Sequence, residues 1–144
     1  MEEINRSWIM CFMNIQRVSW NNYRHKLLPI IKKIEQRNNH LFSDEIDKAL
    51  SEGRAFLFIG GDGFFVLEPI FQNEETIVNV MFAFNWGKNA IDRYQETIER
   101  LSLDIGAKGL ELSTAVKALI PLLEQKRWEW ISTENNVMHW IKRL

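Results

Sequence analysis

Two glutamates on predicted strands are the best candidates in this sequence for acid–base chemistry. Glu68 lies on a strand-like segment that follows a glycine-rich turn, and Glu111 lies on a short apolar segment at residues 110–114. A carboxylate within hydrogen-bond reach of an amine can take its proton and turn the amine into a nucleophile. Both residues are therefore candidate general bases. The alternative for each is a solvated strand residue, which is the commoner role of such a glutamate.

The sequence carries no local signature of nucleophilic catalysis or of a metal site. The only cysteine, Cys11, lies in an apolar run, which favours a buried packing role. The three histidines, His25, His40 and His139, lie on separate predicted elements and lack the spacing of metal ligands. We therefore expect no metal cofactor.

A loop between a strand and a helix is the best candidate for binding an anion. Residues 85–89 follow a β-rich segment at 76–84 and precede an amphipathic helix from Ile91 to Ile105. The N–H groups at a helix N-terminus lack intrahelical acceptors and lie at the positive end of the helix dipole, so they favour a phosphate. The alternative is an ordinary helix start in which Gly87 serves only the turn.

Hydrophobic period predicts the elements that position these residues, in the order β-α-α-β-β-β-α-β-α-β-β. A first strand is predicted at 8–14, helices at 20–37 and from 43, where Ser43 is the capping residue, and a further helix at 116–126. A hairpin is predicted around the turn at 60–63, and two last strands at 128–132 and 137–141.

This order predicts the fold class, which is α/β with a mixed sheet in one domain over residues 1–144. Antiparallel strands come first and a β-α-β crossover follows, so the strands at 76–84 and 110–114 are expected to be parallel neighbours. We expect a mostly antiparallel sheet of about six or seven strands with helices on both faces. Trp128, Trp130 and Trp140 are expected to share one aromatic face, buried in the core or exposed for docking a partner.

Composition excludes several functional classes. The chain has 144 residues and a net charge of −1, with 18 basic and 19 acidic side chains. This balance argues against a nucleic-acid partner, because phosphate binding normally requires a basic excess. The apolar runs are too short to span a bilayer, and a single cysteine favours a reducing compartment. We therefore expect a cytoplasmic protein.

The stretch VNVMFAFNWGKNAIDRYQETIERLSLDIGAKGLELSTA, followed by LIPLLEQKRWEW, resembles the GNAT acyltransferase family. The resemblance extends over nearly the whole chain. It implies that the strand, the loop and the helix N-terminus hold acetyl-CoA, while the strand at 110–114 splays away to admit the pantetheine arm. The residues that it implies for CoA binding are Phe82, Phe84, Asn85, Trp86, Gly87, Lys88, Asn89 and Ala90.

The family pattern is matched only in part. Gly87 matches the first glycine of the family loop, whereas Phe84 stands where Gln or Arg is usual and Asn89 stands at the second small position. Leu123 stands where many relatives have the Tyr that protonates the CoA thiolate, and leucine has no proton to give. The resemblance also implies that the base in such enzymes is a strand glutamate, here Glu68 or Glu111.

Two functions follow from this resemblance. The first is acetyl-CoA-dependent N-acyl transfer to an amine, fully or weakly active. The second is suggested by the segment SDEIDKALSEGRAFLF and the bulky C-terminal hairpin, which resemble the short GNAT-like proteins of tailed bacteriophages. That narrower resemblance implies a protein without acyl transfer that binds a host or virion protein, in the host cytoplasm or in the virion.

Overall fold

The structure, a computed structural model, describes residues 15–87 and 89–144. Its elements in chain order are β1 Gln16–Val18, α1 Trp20–Asn38, α2 Ser43–Ser51, β2 Phe56–Gly60, β3 Gly63–Gln72, β4 Glu75–Asn85, α3 Ala90–Asp104, β5 Gly109–Thr114, a 3₁₀ turn Lys117–Leu119, α4 Ile120–Gln125, β6 Glu129–Glu134 and β7 Val137–Arg143. The strand predicted at 8–14 lies outside the described residues.

One seven-stranded mixed sheet organises these elements, in the order β1-β2-β3-β4-β5-β7-β6. The pair β4 and β5 is parallel, and every other neighbouring pair is antiparallel. Helix α3 forms the crossover between the parallel strands. The predicted α/β fold class, the mostly antiparallel sheet and the parallel neighbours are confirmed.

Helices cover both faces of the sheet, as predicted. On one face, Tyr94, Ile98 and Leu101 of α3 pack with strand residues such as Phe65 and Leu112. On the other face, α1 and α2 pack over β2, β3 and β4 through residues such as Ile31 and Ile46. The second face is less covered over β5–β7, where Glu111, His139 and Ile141 are only half-buried.

Helix α2 begins differently from the prediction. Ser43 is its first residue instead of its cap, and the Ser43 hydroxyl donates to Glu35 Oε1 at 2.9 Å. Glu35 Oε2 also accepts the backbone N–H groups of Phe42 at 2.6 Å and Ser43 at 2.7 Å. The carboxylate that satisfies this helix start therefore comes from α1, because the tight connection at Asn39 turns α2 back against it.

Two predictions near the C-terminus need correction. The helix predicted at 116–126 is a 3₁₀ turn followed by α4, with Pro121 in the first turn of α4, where its missing N–H costs no hydrogen bond. Trp130 and Trp140 are register partners, as a shared face requires, but the three tryptophans differ in burial. Trp128 and Trp140 are buried, whereas Trp130 is 55% exposed on the edge strand β6.

Candidate functional site

The parallel strands β4 and β5 separate part-way along their length. They pair from Ile77 with Gly109 to Val80 with Leu112, and no pairing between them continues beyond that point, although β4 extends to Asn85 and β5 to Thr114. Two strands that stop pairing inside a sheet leave a gap between their carboxyl ends. The chain therefore opens its sheet at the topological position where α/β proteins bind ligands.

A bulge on β4 lies where this gap begins. Val66 of β3 is the partner of Phe82, whereas the next residue, Leu67, is the partner of Val80. Met81 is therefore left without a register partner on β3, and its neighbour Val80 is the last residue of β4 that pairs with β5. The backbone of Met81 can present polar groups to the gap.

A cavity of about 400 Å³ occupies this gap. Its walls are the carboxyl-terminal halves of β4 and β5, the first turn of α3, and the end of α1 with the segment after it. Residues that represent these walls are Met81, Ser113, Ala90, Ile91, Arg37 and His40. Because α3 and α1 lie on opposite faces of the sheet, the cavity connects the two faces. Its volume lies within the usual range for a small-ligand site.

The residues predicted to bind CoA are only partly brought together. Those that line the cavity are Phe82, Phe84, Asn85, Asn89 and Ala90. Trp86, which is 59% exposed, and Gly87 are not part of its lining, and Lys88 lies outside the described residues. Phe82 also packs in the core, with its ring 5.6 Å from that of Phe64.

The backbone N–H groups of the predicted phosphate loop are largely occupied within the chain. Trp86 donates to the carbonyl of Asp62 at 2.8 Å, Gly87 donates to Asn85 Oδ1 at 2.6 Å, and Ile91 donates to Asn89 Oδ1 at 2.9 Å. Asn89 is thus the N-cap of α3. The first-turn N–H groups of Ala90 and Asp92 have no acceptor within the helix, and they are the groups that an anion can bind there.

Asp62 ties this loop to the rest of the fold. Its carboxylate accepts from the Tyr94 hydroxyl at 2.8 Å, from Arg93 Nε at 2.7 Å and from Asn85 Nδ2 at 3.0 Å. Burial opposes ionisation of Asp62, but these hydrogen bonds outweigh it and lower its pKa. Burial raises the pKa of the Tyr94 hydroxyl, and Asp62 raises it further, so Tyr94 is a structural donor here.

Glu68 is held by a cation. Its Oε2 lies 2.7 Å from Arg54 Nη1, and its carboxylate is 14% exposed. Arg54 also contacts Glu52 at 2.8 Å and Glu45 at 3.7 Å. A carboxylate oxygen that is already occupied by a guanidinium group is less available to a substrate amine.

Glu111 lies on the same sheet face as Glu68, with Asn79 between them in the register. Burial raises the pKa of Glu111, the negative charge of Glu68 raises it further, and His139 lowers it. A raised carboxylate pKa is the property of a general base that works near neutral pH. Neither glutamate belongs to the cavity lining, although Glu111 is two residues from Ser113, which does.

Ser113 and His139 form a polar pair that the sequence pattern did not single out. Ser113 Oγ lies 2.7 Å from His139 Nδ1 across the β5–β7 ladder. His40, from the segment after α1, lines the cavity together with Ser113. Burial lowers the pKa of His40, His139 lowers it further, and Glu35 opposes this. These residues are far apart in the chain, so only the strand order could have revealed the group.

Leu123 is fully buried and packs in the core between the sheet and α3. It is not among the described residues that line the cavity, whereas Leu119 and Val116 are. Leu123, which the family resemblance aligns with a proton-donating Tyr, is therefore part of the apolar core in this chain.

Within residues 15–87 and 89–144, no helix is long and apolar enough to cross a membrane. In the same part of the chain, no three His, Cys, Asp or Glu side chains converge as a metal ion would require.

Comparison with solved structures identifies the fold. A GNAT-family acetyltransferase from Listeria monocytogenes aligns with a TM-score of 0.62 at 10% identity, over 90% of this chain and 94% of its own. FeeM, an N-acyl amino acid synthase from uncultured soil microbes, aligns with a TM-score of 0.68 at 10% identity, over 90% and 88%. The GNAT domain of S. lividans PAT aligns with a TM-score of 0.64 at 11% identity, over 90% and 89%.

These similarities show that the chain has the fold of the GNAT acetyltransferases. A scan of the sequence against protein-family models and a search of curated proteins found no match. A shared fold does not fix function, so the function of this chain depends on the geometry of its own site.

Proposed function

We propose that this chain is an N-acyltransferase that takes its acyl group from a CoA thioester and transfers it to an amine. The observation that carries this proposal is the separation of β4 and β5 beyond Val80 and Leu112, which opens the cavity through the sheet. The GNAT fold, with the family resemblance of the sequence, gives the cavity this interpretation.

The cavity suits a narrow pantetheine arm. Apolar side chains and strand backbone form most of its walls, and the bulge at Met81 leaves a backbone position without a register partner at its start. A backbone N–H on β4 can donate to the thioester carbonyl, whose oxygen gains negative charge when an amine attacks. Such pre-oriented donors are among the largest contributions to acyl-transfer catalysis. CoA supplies the acyl group as a thioester with a good leaving group.

The chain offers few free hydrogen-bond donors to the phosphates of CoA. Asn85 and Asn89 already accept the N–H groups of Gly87 and Ile91, so the chain offers mainly the first-turn N–H groups of Ala90 and Asp92. Arg93 is held by Asp62. We therefore expect CoA affinity to come mostly from the pantetheine and acyl portions.

A second function, binding to a protein without acyl transfer, is supported by two observations. The proton-donor position of the family holds the buried Leu123, and Trp86, Trp130 and Ile131 are large exposed apolar side chains. Exposed aromatic side chains are enriched where proteins dock. The partner in that case is the host or virion protein that the phage resemblance implies.

Calorimetric titration with acetyl-CoA decides between the two. Saturable binding, together with thiol release on addition of an amine, supports acyl transfer. Absence of binding at millimolar acetyl-CoA contradicts it and favours the protein-binding function.

A further inference from the structure

The pair formed by Ser113 and His139 lies at the edge of the cavity between β4 and β5, on the sheet face that α1 covers. Both residues are fixed by the strand ladder, because they are register partners on β5 and β7. Ser113 lines the cavity, and it directly follows Leu112, the last residue of β5 that pairs with β4. The hydrogen bond of 2.7 Å between Ser113 Oγ and His139 Nδ1 thus joins the cavity wall to an imidazole.

The face around this pair is polar and accessible. Ser113 is exposed and His139 is half-buried, whereas the opposite face of the same strands buries Leu112 and Trp140. Glu111 shares the face and lies diagonally from His139, within the reach of cross-strand neighbours. Further titratable groups on this side are Arg37 at the end of α1 and His40 after it, Glu68 on β3, Glu129 and Glu134 on β6, and Arg143 further along β7.

The hydrogen bond to Ser113 sets which nitrogen of the His139 imidazole can accept a proton. A neutral imidazole has one N–H and one lone pair, on different nitrogens. When Nδ1 carries the proton and donates it to Ser113 Oγ, the lone pair is on Nε2. A nearby carboxylate then stabilises the imidazolium that forms when Nε2 accepts a proton, and Glu111 is placed to do this.

We propose that His139, oriented by Ser113, is the base that takes the proton from the acceptor amine at the edge of the cavity. This inference rests on the proposed acyl transfer. The ammonium form of the acceptor gives one proton to Nε2, and the neutral amine attacks the thioester carbonyl carbon. A C–N bond forms and the C–S bond breaks, the second amine proton goes to the CoA thiolate, and His139 returns its proton to solvent. His139 is the catalytic residue and Ser113 is a positioning residue.

The two glutamates fit this role less well. Glu68 is held in an ion pair by Arg54 and does not line the cavity. Neither Glu111 nor His139 belongs to the cavity lining, but His139 is hydrogen-bonded to Ser113, which does, whereas the cross-strand partner of Glu111 is Ile141. Ser113 is the member of the pair that lies on the cavity wall, and its hydrogen bond places the His139 imidazole next to that wall.

Nuclear magnetic resonance tests the geometry without any substrate. Long-range nitrogen–proton spectra distinguish the two neutral imidazole tautomers, and three histidines in the chain make assignment by His25→Gln and His40→Gln simple. We expect the neutral His139 to carry its proton on Nδ1, and Ser113→Ala to shift the population toward Nε2–H. A neutral His139 with its proton on Nε2 in the unmodified protein overturns the proposal.

Kinetics test the chemistry, using acetyl-CoA and an amine that the unmodified protein acetylates. His139→Asn should lower kcat by roughly 10²–10⁴, the usual contribution of a general base. It should leave the Kd for acetyl-CoA unchanged and remove the acidic limb of the pH–rate profile. Ser113→Ala should give a smaller loss of kcat and move the pKa of that limb.

Ser132→Ala is the matched control. Ser132 is the register partner of His139 on β6, on the side of β7 that faces away from the cavity. The Ser132→Ala variant should therefore leave kcat and the pH profile unchanged. If His139→Asn keeps the original kcat and pH profile, the proposal is wrong even when acetyl-CoA binds. If acetyl-CoA does not bind at all, the proposed function fails, while the tautomer measurement still decides the geometry of the pair.

Discussion

The Tyr94 hydroxyl on α3 donates a 2.8 Å hydrogen bond to Asp62 Oδ1 in the turn between β2 and β3. Asp62 Oδ2 in turn accepts from Asn85, whose own Oδ1 accepts the N–H of Gly87. This chain of hydrogen bonds joins the hairpin turn, the helix and the loop that borders the cavity. The shape of the loop is therefore set by residues outside it.

Tyr94→Phe should lower the free energy of unfolding by about 1–3 kcal/mol, because it leaves one oxygen of a partly buried carboxylate without its donor. It should also weaken acetyl-CoA binding by loosening Asn85. Urea denaturation and calorimetry measure the two effects. Tyr23→Phe is the control, since Tyr23 is the other tyrosine and lies on α1 away from the loop. Equal stability losses in both variants would show that Asp62 is not the reason.

Two glycines of the same turn should respond oppositely to alanine. A Cβ on Gly63 would collide with the carbonyl oxygen of Phe84 and lie 2.7 Å from Tyr94 Oη, whereas a Cβ on Gly61 meets nothing within 4 Å. Gly63→Ala should therefore destabilise the fold by about 2 kcal/mol or more, as overpacking does. Gly61→Ala should be neutral or stabilise by up to about 1 kcal/mol. Thermal unfolding of both variants checks this, and a tolerated Gly63→Ala contradicts the packing described.

A negative charge introduced at the start of α3 should have opposite effects on the stability of the fold and on the affinity for acetyl-CoA. Ala90→Glu places a carboxylate in the first helical turn, which the helix dipole favours by about 0.3–1 kcal/mol. The same charge should repel a pyrophosphate and weaken acetyl-CoA binding by about tenfold, which corresponds to about 1.4 kcal/mol. Ala90→Gln has nearly the same shape as Ala90→Glu without the charge, so the difference in affinity between the two variants isolates the effect of the charge. Unchanged affinity in Ala90→Glu would place the phosphates elsewhere.

The acid stability of the chain should depend on Glu35. Burial opposes ionisation of Glu35, but hydrogen bonds from Ser43 and Phe42 outweigh it and lower its pKa below 4.5. A lowered pKa in the folded state contributes stability that is present above the unfolded value and is lost as pH falls through the folded value. Glu35→Gln should therefore be less stable than the unmodified protein at pH 7, and the difference should shrink below pH 4.5.

Urea denaturation between pH 3 and 7 measures this difference. Glu96→Gln, at an exposed position of α3, is the matched control and should change the free energy of unfolding by no more than about 0.5 kcal/mol at any pH. A Glu35→Gln difference that stays constant with pH would contradict the role of the carboxylate.

Turnover on simple amines should be slow. Leu123, which the family resemblance aligns with a proton-donating Tyr, is buried in the core, and the Tyr94 hydroxyl donates its hydrogen bond to Asp62. Without a positioned acid the CoA thiolate must take its proton from the amine or from water, and acid–base assistance is worth roughly 10²–10⁴ in rate. A thiol-release assay across polyamines, amino acids, aminoglycosides and lysine peptides should give kcat well below about 10 s⁻¹, the median for enzymes. A value near that median would show that another residue supplies the proton.

Element type and order were predictable from the sequence, because hydrophobic period and turn residues are local. The pattern from Ile91 to Ile105 predicted α3, and the glycines at 60–63 predicted the hairpin. The parallel pairing of β4 and β5 followed from the helix between them. The loop at 85–89 was predicted from the same local pattern, although the N–H of Gly87 donates to Asn85 Oδ1 and is not free to bind a phosphate.

The tertiary structure alone decided which side chains meet. Glu35 reaches the start of α2, Arg54 forms an ion pair with Glu68, and Asp62 joins α3 to the loop across more than twenty residues of chain. Ser113 and His139 are partners because β7 inserts between β5 and β6, an order that local patterns do not encode. Hydrophobic period reports which face of an element is buried, whereas the contacts of polar side chains depend on register and strand order, which form only when the whole sheet assembles.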